Sequence, residues 1–485
     1  MPAMLRVAPT VNGRMIRIVV FRICCVFSLV VGNGQVHSAL EGPVDGTTAA
    51  TVEPRYVVHT GTLLAEPDKP PLPRASLLIQ GDHIVEVRPG HVAPADFAAD
   101  AQLINLSSLF VLPGLIDSQV HFTGQLGDLG GLERDVTMTD PEIALRGSRY
   151  AKRTLEAGFT SVRDMGDGGE AMFALRDAIA SGLTPGPRMQ AAGRIIGPEL
   201  GGAVLRPEVG SVVSPNASCS GAAACRDAVR QQILRGADTI KLYLNHDLMP
   251  ATQPWFTDDE LRAMVDAAHA LGRKVTASAF APEPIKAALR AGVDAVVHGV
   301  FLDDEAIQML LRNDAYLIST LSAADTVGEL ALDKGTSLSA QWRTENLEIH
   351  RAMFDGFGKA HAAGVRIAFG TDAGWRAHGQ NALQLGLMVD AGMTPSEAIA
   401  SATVQAAGAI GWGERVGRLR PGFQADLIGV PGNPLQDVSV LRDVLFVMKA
   451  GRIYRWDKAL GEAGARTVSS TSSPRPAFSG ASSSP

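Results

Sequence analysis

Hydrophobic and polar positions fall into two textures along this chain. From residue 55 to 88, short apolar stretches such as Tyr56-Val57-Val58, Ser76-Leu77-Leu78-Ile79 and His83-Ile84-Val85-Glu86-Val87 are separated by Gly, Asp and Pro. That pattern predicts short antiparallel strands. It returns near the carboxyl end at 417–419, 425–430, 444–448 and 452–454, with Pro421-Gly422 and Ala450-Gly451 as turns. Between 111 and 413, helical spacing alternates with short apolar runs: helices over 259–271 and 284–291 precede strands over 274–277 and 295–298. This βα order builds a parallel barrel. The predicted fold is α/β, a TIM (β/α)8 barrel with a small β-sandwich domain formed from the N- and C-terminal segments. The expected boundaries are sandwich 40–110, barrel 111–414, sandwich 415–458 and a Ser/Pro/Ala-rich disordered tail 459–485.

The amino end carries Arg6, Arg14 and Arg17, an apolar run over 23–31, and small residues at Ser38-Ala39. These are the parts of a signal peptide over 1–39, with Met15 as a second possible start, and they predict a secreted or periplasmic protein. The run is too short to span a bilayer, so no permanent membrane anchor is expected. A buried strand or helix of the mature fold is the other reading of this run. Of four cysteines, Cys24 and Cys25 fall inside the signal. Cys219 and Cys225 remain, and in an oxidising compartment a local disulfide is expected between them, two free thiols being the alternative.

Over 485 residues, 46% are hydrophobic and the net charge is -6. There is no basic run to attract nucleic acid, so the partner is a small-molecule substrate. Oligomeric state has no signature in the pattern.

Candidate chemistry gathers at the ends of the predicted barrel strands, where such barrels place their sites. In Pro113-Gly114-Leu115-Ile116-Asp117-Ser118-Gln119-Val120-His121, period-2 spacing puts Gln119 and His121 on one face. Lys241 ends an apolar strand, where a bare ammonium is costly to bury unless it pairs with a carboxylate. Tyr243 shares its face and is a candidate substrate contact. His298 precedes Gly299, which permits close backbone approach; packing is its alternative role. Asp372 lies in Gly370-Thr371-Asp372-Ala373-Gly374 and suits proton transfer, or a helix N-cap. His378, in the loop beyond, is a second candidate substrate contact, or inert.

Together with 157–164, 236–241, 291–299 and 369–374, these segments resemble the amidohydrolase superfamily, in its imidazolonepropionase-like and prolidase-like branch, over 56–455. The resemblance implies a metal-dependent hydrolase acting on carbon-nitrogen bonds of a dipeptide, N-acyl amino acid or cyclic amide. Relatives end the first strand in Asp-x-His-x-His; here Gln119 replaces one histidine. Their fifth-strand histidines are here Ser278 and Phe280, neither a good zinc ligand. Arg163 and Asp164 match a second-strand pair with a structural role.

By the same resemblance, Lys241 is carboxylated and bridges metals, His298 is a ligand, and Asp372 binds metal and takes a proton from the attacking water. What survives for one ion is His121, Lys241 and Asp372, with Gln119 as a weak fourth; a second ion would have only Lys241 and His298. The expectation is therefore one Zn2+ or another divalent ion. Two other readings stand beside it: a degenerate barrel that binds without turnover, and a lactonase or esterase on the same site.

Overall fold

A computed structural model describes residues 53–128, 137–166, 169–197, 217–245 and 252–457. The expected signal peptide over 1–39 and the tail over 459–485 lie outside the described residues.

Seven parallel barrel strands follow in order: Leu115–Val120, Phe159–Asp164, Arg188–Ala191, Thr239–Tyr243, Lys274–Ala279, Ala295–His298 and Tyr316–Ile318. Between the third and fourth, the Asp238 amide donates to the Ala191 carbonyl at 2.9 Å. The eighth position is taken by the extended segment 366–373, bridged to the seventh strand at Leu317 and Ile367 and to the first at Val120 and Ala373. Alternation sorts the side chains. Val162, Ala277 and Val296 join the large core beneath the helices, whereas Ala295, Val297, Tyr316, Ile318 and Ala368 form a separate cluster inside the barrel. Arg163 and Asp164 point to opposite faces and so do not pair: the Arg163 guanidinium donates to the Ser118 carbonyl at 2.9 Å, and Asp164 accepts from the Phe122 amide at 2.8 Å.

Local signals set the helix ends. Thr257 caps Asp258–Ala270, with Glu260 closing the capping box, and Pro282–Ala291 ends on the left-handed Gly292.

The two terminal segments meet in one hydrogen-bonded sheet of eight strands. Its centre is a strand that the hydropathy pattern did not announce, Gln102–Pro113, parallel to Arg55–Leu63 and antiparallel to Leu427–Val430. Ile104 and Leu106 are buried, but the Ser107-Ser108 pair interrupts the alternation. Residues 417–419 are not a strand; the Leu419 amide bonds the Ala65 carbonyl at 2.8 Å.

This sheet is fastened near the amino ends of the barrel strands. Arg188, which opens the third strand, pairs with Asp426 and donates to Gln424 at 2.6 Å, and the Lys449 amine donates to the Gly186 carbonyl at 2.6 Å. The carboxyl ends are left for the site. One turn in the sheet domain permits no side chain: Gly451 has φ +69°, and a Cβ there would stand 1.9 Å from the Gly81 carbonyl oxygen. Gly451→Ala is therefore expected to cost about 2–4 kcal/mol, seen as a lowered denaturation midpoint with activity per folded molecule retained.

Candidate active site

The site is assembled by a carboxylate that does not itself face it. Asp117 on the first barrel strand accepts from the Thr371 hydroxyl at 2.6 Å, the Thr371 amide at 3.1 Å, the Gln119 amide at 3.1 Å and the Asn381 side chain at 2.8 Å. Burial pushes its pKa up to about 6, although those hydrogen bonds favour ionisation. Gln384 and Ser322 hold the carbonyls of Gly370 and Thr371 from the other side. The first and eighth strands are thereby locked together, and the Asp372 amide donates to the Gln119 carbonyl at 2.8 Å.

Above this clamp, three side chains form a triangle. The Gln119 amide nitrogen is 3.1 Å from His121 Nε2 and 3.0 Å from Asp372 Oδ1, and His121 Nε2 is 3.1 Å from Asp372 Oδ1. The other end of the Gln119 amide, Oε1, accepts from Lys241 Nζ at 3.1 Å. His121 is oriented from behind by Nδ1, 3.0 Å from the Gly166 carbonyl. Burial disfavours the Asp372 carboxylate, but the hydrogen bond and charge of His121, together with the Gln119 amide, outweigh it, and its pKa falls well below the usual carboxylate range. Asp372 and His298 both take positive φ, at 58° and 70°. Backbone strain of this kind concentrates at functional sites.

His298 lies within reach of the charges of Asp372, Lys241 and His121. Its two ring nitrogens meet hydroxyls: Nε2 is 3.1 Å from Ser278 Oγ and Nδ1 is 2.8 Å from Thr320 Oγ1. Burial drives its pKa down to about 3, so the ring is neutral at physiological pH. Phe280 stacks on it with centroids 4.4 Å apart, and Tyr243 meets Phe280 edge-on at 6.5 Å.

Of the expected site residues, Gln119, His121, Lys241 and Asp372 are brought into direct contact, with His298 and Tyr243 around them. His378 is placed otherwise. It is buried between Phe122 and Tyr150, its Nε2 lies 3.0 Å from the Gly124 carbonyl, and it holds the loop that follows His121. Asp117, Thr320, Ser322, Asn381 and Gln384 escaped the sequence reading. Only Asp117 carried a signal, as a carboxylate two residues from Gln119 on an apolar strand. Cys219 and Cys225 are joined by a disulfide at the start of the helix Ala222–Leu234.

The three side chains of the triangle could serve as donors to one divalent cation. Ligands about 2.0–2.2 Å from a common ion stand roughly 3.0–3.5 Å apart, which the three observed edges match. His121 supplies an imidazole and Asp372 a carboxylate; Gln119 can present its oxygen once its amide is turned over. Among the described residues no three His, Cys, Asp or Glu side chains form a ligand cluster, so a metal here would need Gln119, and Lys241 in carboxylated form, as further donors. A second ion finds no such set. Lys241 and His298 would be its donors, and both His298 nitrogens are engaged by hydroxyls.

Ochratoxinase of Aspergillus niger is 28% identical over 435 residues, covering 84% of this chain and 88% of that protein. A crystal structure of a Xaa-Pro dipeptidase with methionine bound in its active site superposes with a TM-score of 0.73 at 34% identity, covering 83% of this chain and 100% of the other. Imidazolonepropionase of Geobacillus kaustophilus is 32% identical over 177 residues, 36% of this chain and 37% of that protein. Residues 110–454 match the amidohydrolase family, and with the barrel, the appended sheet and the strand-end site in place, the chain belongs to that family and is a hydrolytic enzyme.

Proposed function

We propose that this protein hydrolyses the carbon-nitrogen bond of a small amide, such as a dipeptide, an N-acyl amino acid or a cyclic amide, with one divalent ion at the Gln119–His121–Asp372 triangle. The observation that carries the reading is that triangle, with an ionised, buried carboxylate at one corner. His121, Asp372, the Gln119 oxygen and carboxylated Lys241 would hold the ion. When bound, it supplies Lewis-acid polarisation of the carbonyl and lowers the pKa of water. Asp372 accepts the proton of the attacking water at its carboxylate and delivers it to the leaving nitrogen. Gly166 fixes the His121 ring, and the Asp117 clamp keeps Asp372 from swinging away. The name of one similar protein, Xaa-Pro dipeptidase, supports an amide substrate.

The test is turnover of dipeptides, N-acyl amino acids, cyclic amides and lactones before and after chelation. Amide hydrolysis is expected to fall at least tenfold on chelation and to recover with about one equivalent of a divalent metal per chain. Binding without turnover under every metal would overturn the reading in favour of a degenerate barrel, and lactone turnover alone would favour an esterase.

We also propose an extracytoplasmic location, supported by the amino-terminal signal pattern and by the Cys219–Cys225 disulfide. Among the described residues no helix is long and apolar enough to cross a membrane.

A further inference from the structure

Two apolar walls stand at opposite sides of the barrel mouth. One rises from the fourth and fifth strands, where Tyr243 and Phe280 are partly exposed and Phe280 covers the ring of His298. The other rises from the eighth and first. The Trp375 amide donates to the Asp372 carbonyl at 3.1 Å, and the Leu126 amide donates to the Gly374 carbonyl at 2.6 Å. Both side chains are 47% exposed. Fourth and fifth strands face eighth and first across any eight-stranded barrel, so the walls oppose one another.

The second wall is held rigidly. Arg376, next to the tryptophan, bonds Thr326 at 2.9 Å, Asp325 at 3.1 Å and Glu329 at 3.0 Å on the helix Leu321–Leu332. An indole on a loop pinned in this way gives up little entropy when a ring packs on it. The first wall stands where the sequence has Ser278 and Phe280 in place of two histidines, so the mouth there is neutral and aromatic. Flat uncharged rings gain from offset or edge-on contact with such surfaces, and a charged group would lose its hydration against them.

We infer that the substrate is an amide bearing a flat, uncharged aromatic group next to the scissile bond, held between Tyr243–Phe280 and Trp375, with Trp375 as a specificity-determining residue. This deepens the amide-hydrolase reading and rests on it for the position of the scissile bond.

The experiment measures calorimetric binding of two matched pairs to the whole protein: N-benzoylglycine against N-acetylglycine, and N-acetylphenylalanine against N-acetylalanine. The aromatic member of at least one pair is expected to bind tenfold or more tightly. Trp375→Ala, which removes a half-exposed side chain and leaves the core intact, is expected to reduce that ratio below threefold, as is Phe280→Leu. Equal affinities within both pairs, or a ratio that persists in both variants, would overturn the inference. Turnover of the same compounds separates the two claims. Hydrolysis without aromatic preference leaves the amide-hydrolase reading standing and removes this one; aromatic preference in binding with no hydrolysis keeps the ring-binding walls and removes the amide-hydrolase reading together with the placement of the ring beside a scissile bond.

Discussion

Asp372→Asn is expected to lower kcat/KM toward amide substrates by about 10²–10⁴-fold, the range in which a positioned proton carrier contributes, while the fold is kept. The substitution preserves shape and removes the charge, the ability to take a proton and a carboxylate donor to the ion. Asparagine tolerates the left-handed conformation at least as well as aspartate, and position 372 sits there, at φ 58°. The amide of residue 372 continues to bond Gln119, and the Asp117 clamp on Thr371 does not involve the side chain being changed. The lowered pKa of the carboxylate means that its charge also stabilises the fold at neutral pH, so some fall in the melting midpoint is expected, and a large loss of turnover per folded molecule assigns Asp372 to the chemistry. Turnover within threefold of the parent would remove Asp372 from that role and the hydrolytic mechanism with it.

The barrel was legible because its signals are local. The strand over 295–298 stands where the apolar run placed it, and the helix expected over 259–271 runs Asp258–Ala270, its start fixed by the Thr257 cap. The helix Pro282–Ala291 begins two residues before the reading, since proline is accommodated in a first helical turn. Gln102–Pro113 was not legible: five of its twelve residues are exposed, and its place at the centre of the sheet depends on partners more than 300 residues away in sequence. The same distinction divides the site. Gln119, His121, Lys241 and Asp372 could be singled out one strand at a time, because each is a polar residue in or just after an apolar run, Lys241 standing in the middle of Thr239–Tyr243. The clamp could not, since Asp117, Thr371 and Asn381 have meaning only once the first and eighth strands are adjacent. His378 follows the eighth strand as read, and its ring packs between Phe122 and Tyr150 with Nε2 on the Gly124 carbonyl.

Gln119→His is expected to raise affinity for a divalent metal by about 10–100-fold, and Gln119→Leu to lower it by a similar factor together with kcat/KM, an order typical of changes in or around a metal's ligand set. The reason lies in the two unlike ends of an amide. With Oε1 accepting from the Lys241 ammonium, the Gln119 nitrogen faces His121 and Asp372, and a nitrogen that bears protons repels a cation. Turning the amide over offers oxygen to the cation but sets two N–H groups against Lys241. That arrangement is stable only when the lysine nitrogen carries a carboxylate in place of its charge. Metal uptake by the parent protein should accordingly rise with added bicarbonate. An imidazole at position 119 has a ring nitrogen free of this conflict, so Gln119→His should load at low bicarbonate. Titration against a chromophoric chelator at two bicarbonate concentrations measures both effects. Undiminished metal stoichiometry and turnover in Gln119→Leu would show that the triangle does not hold the ion.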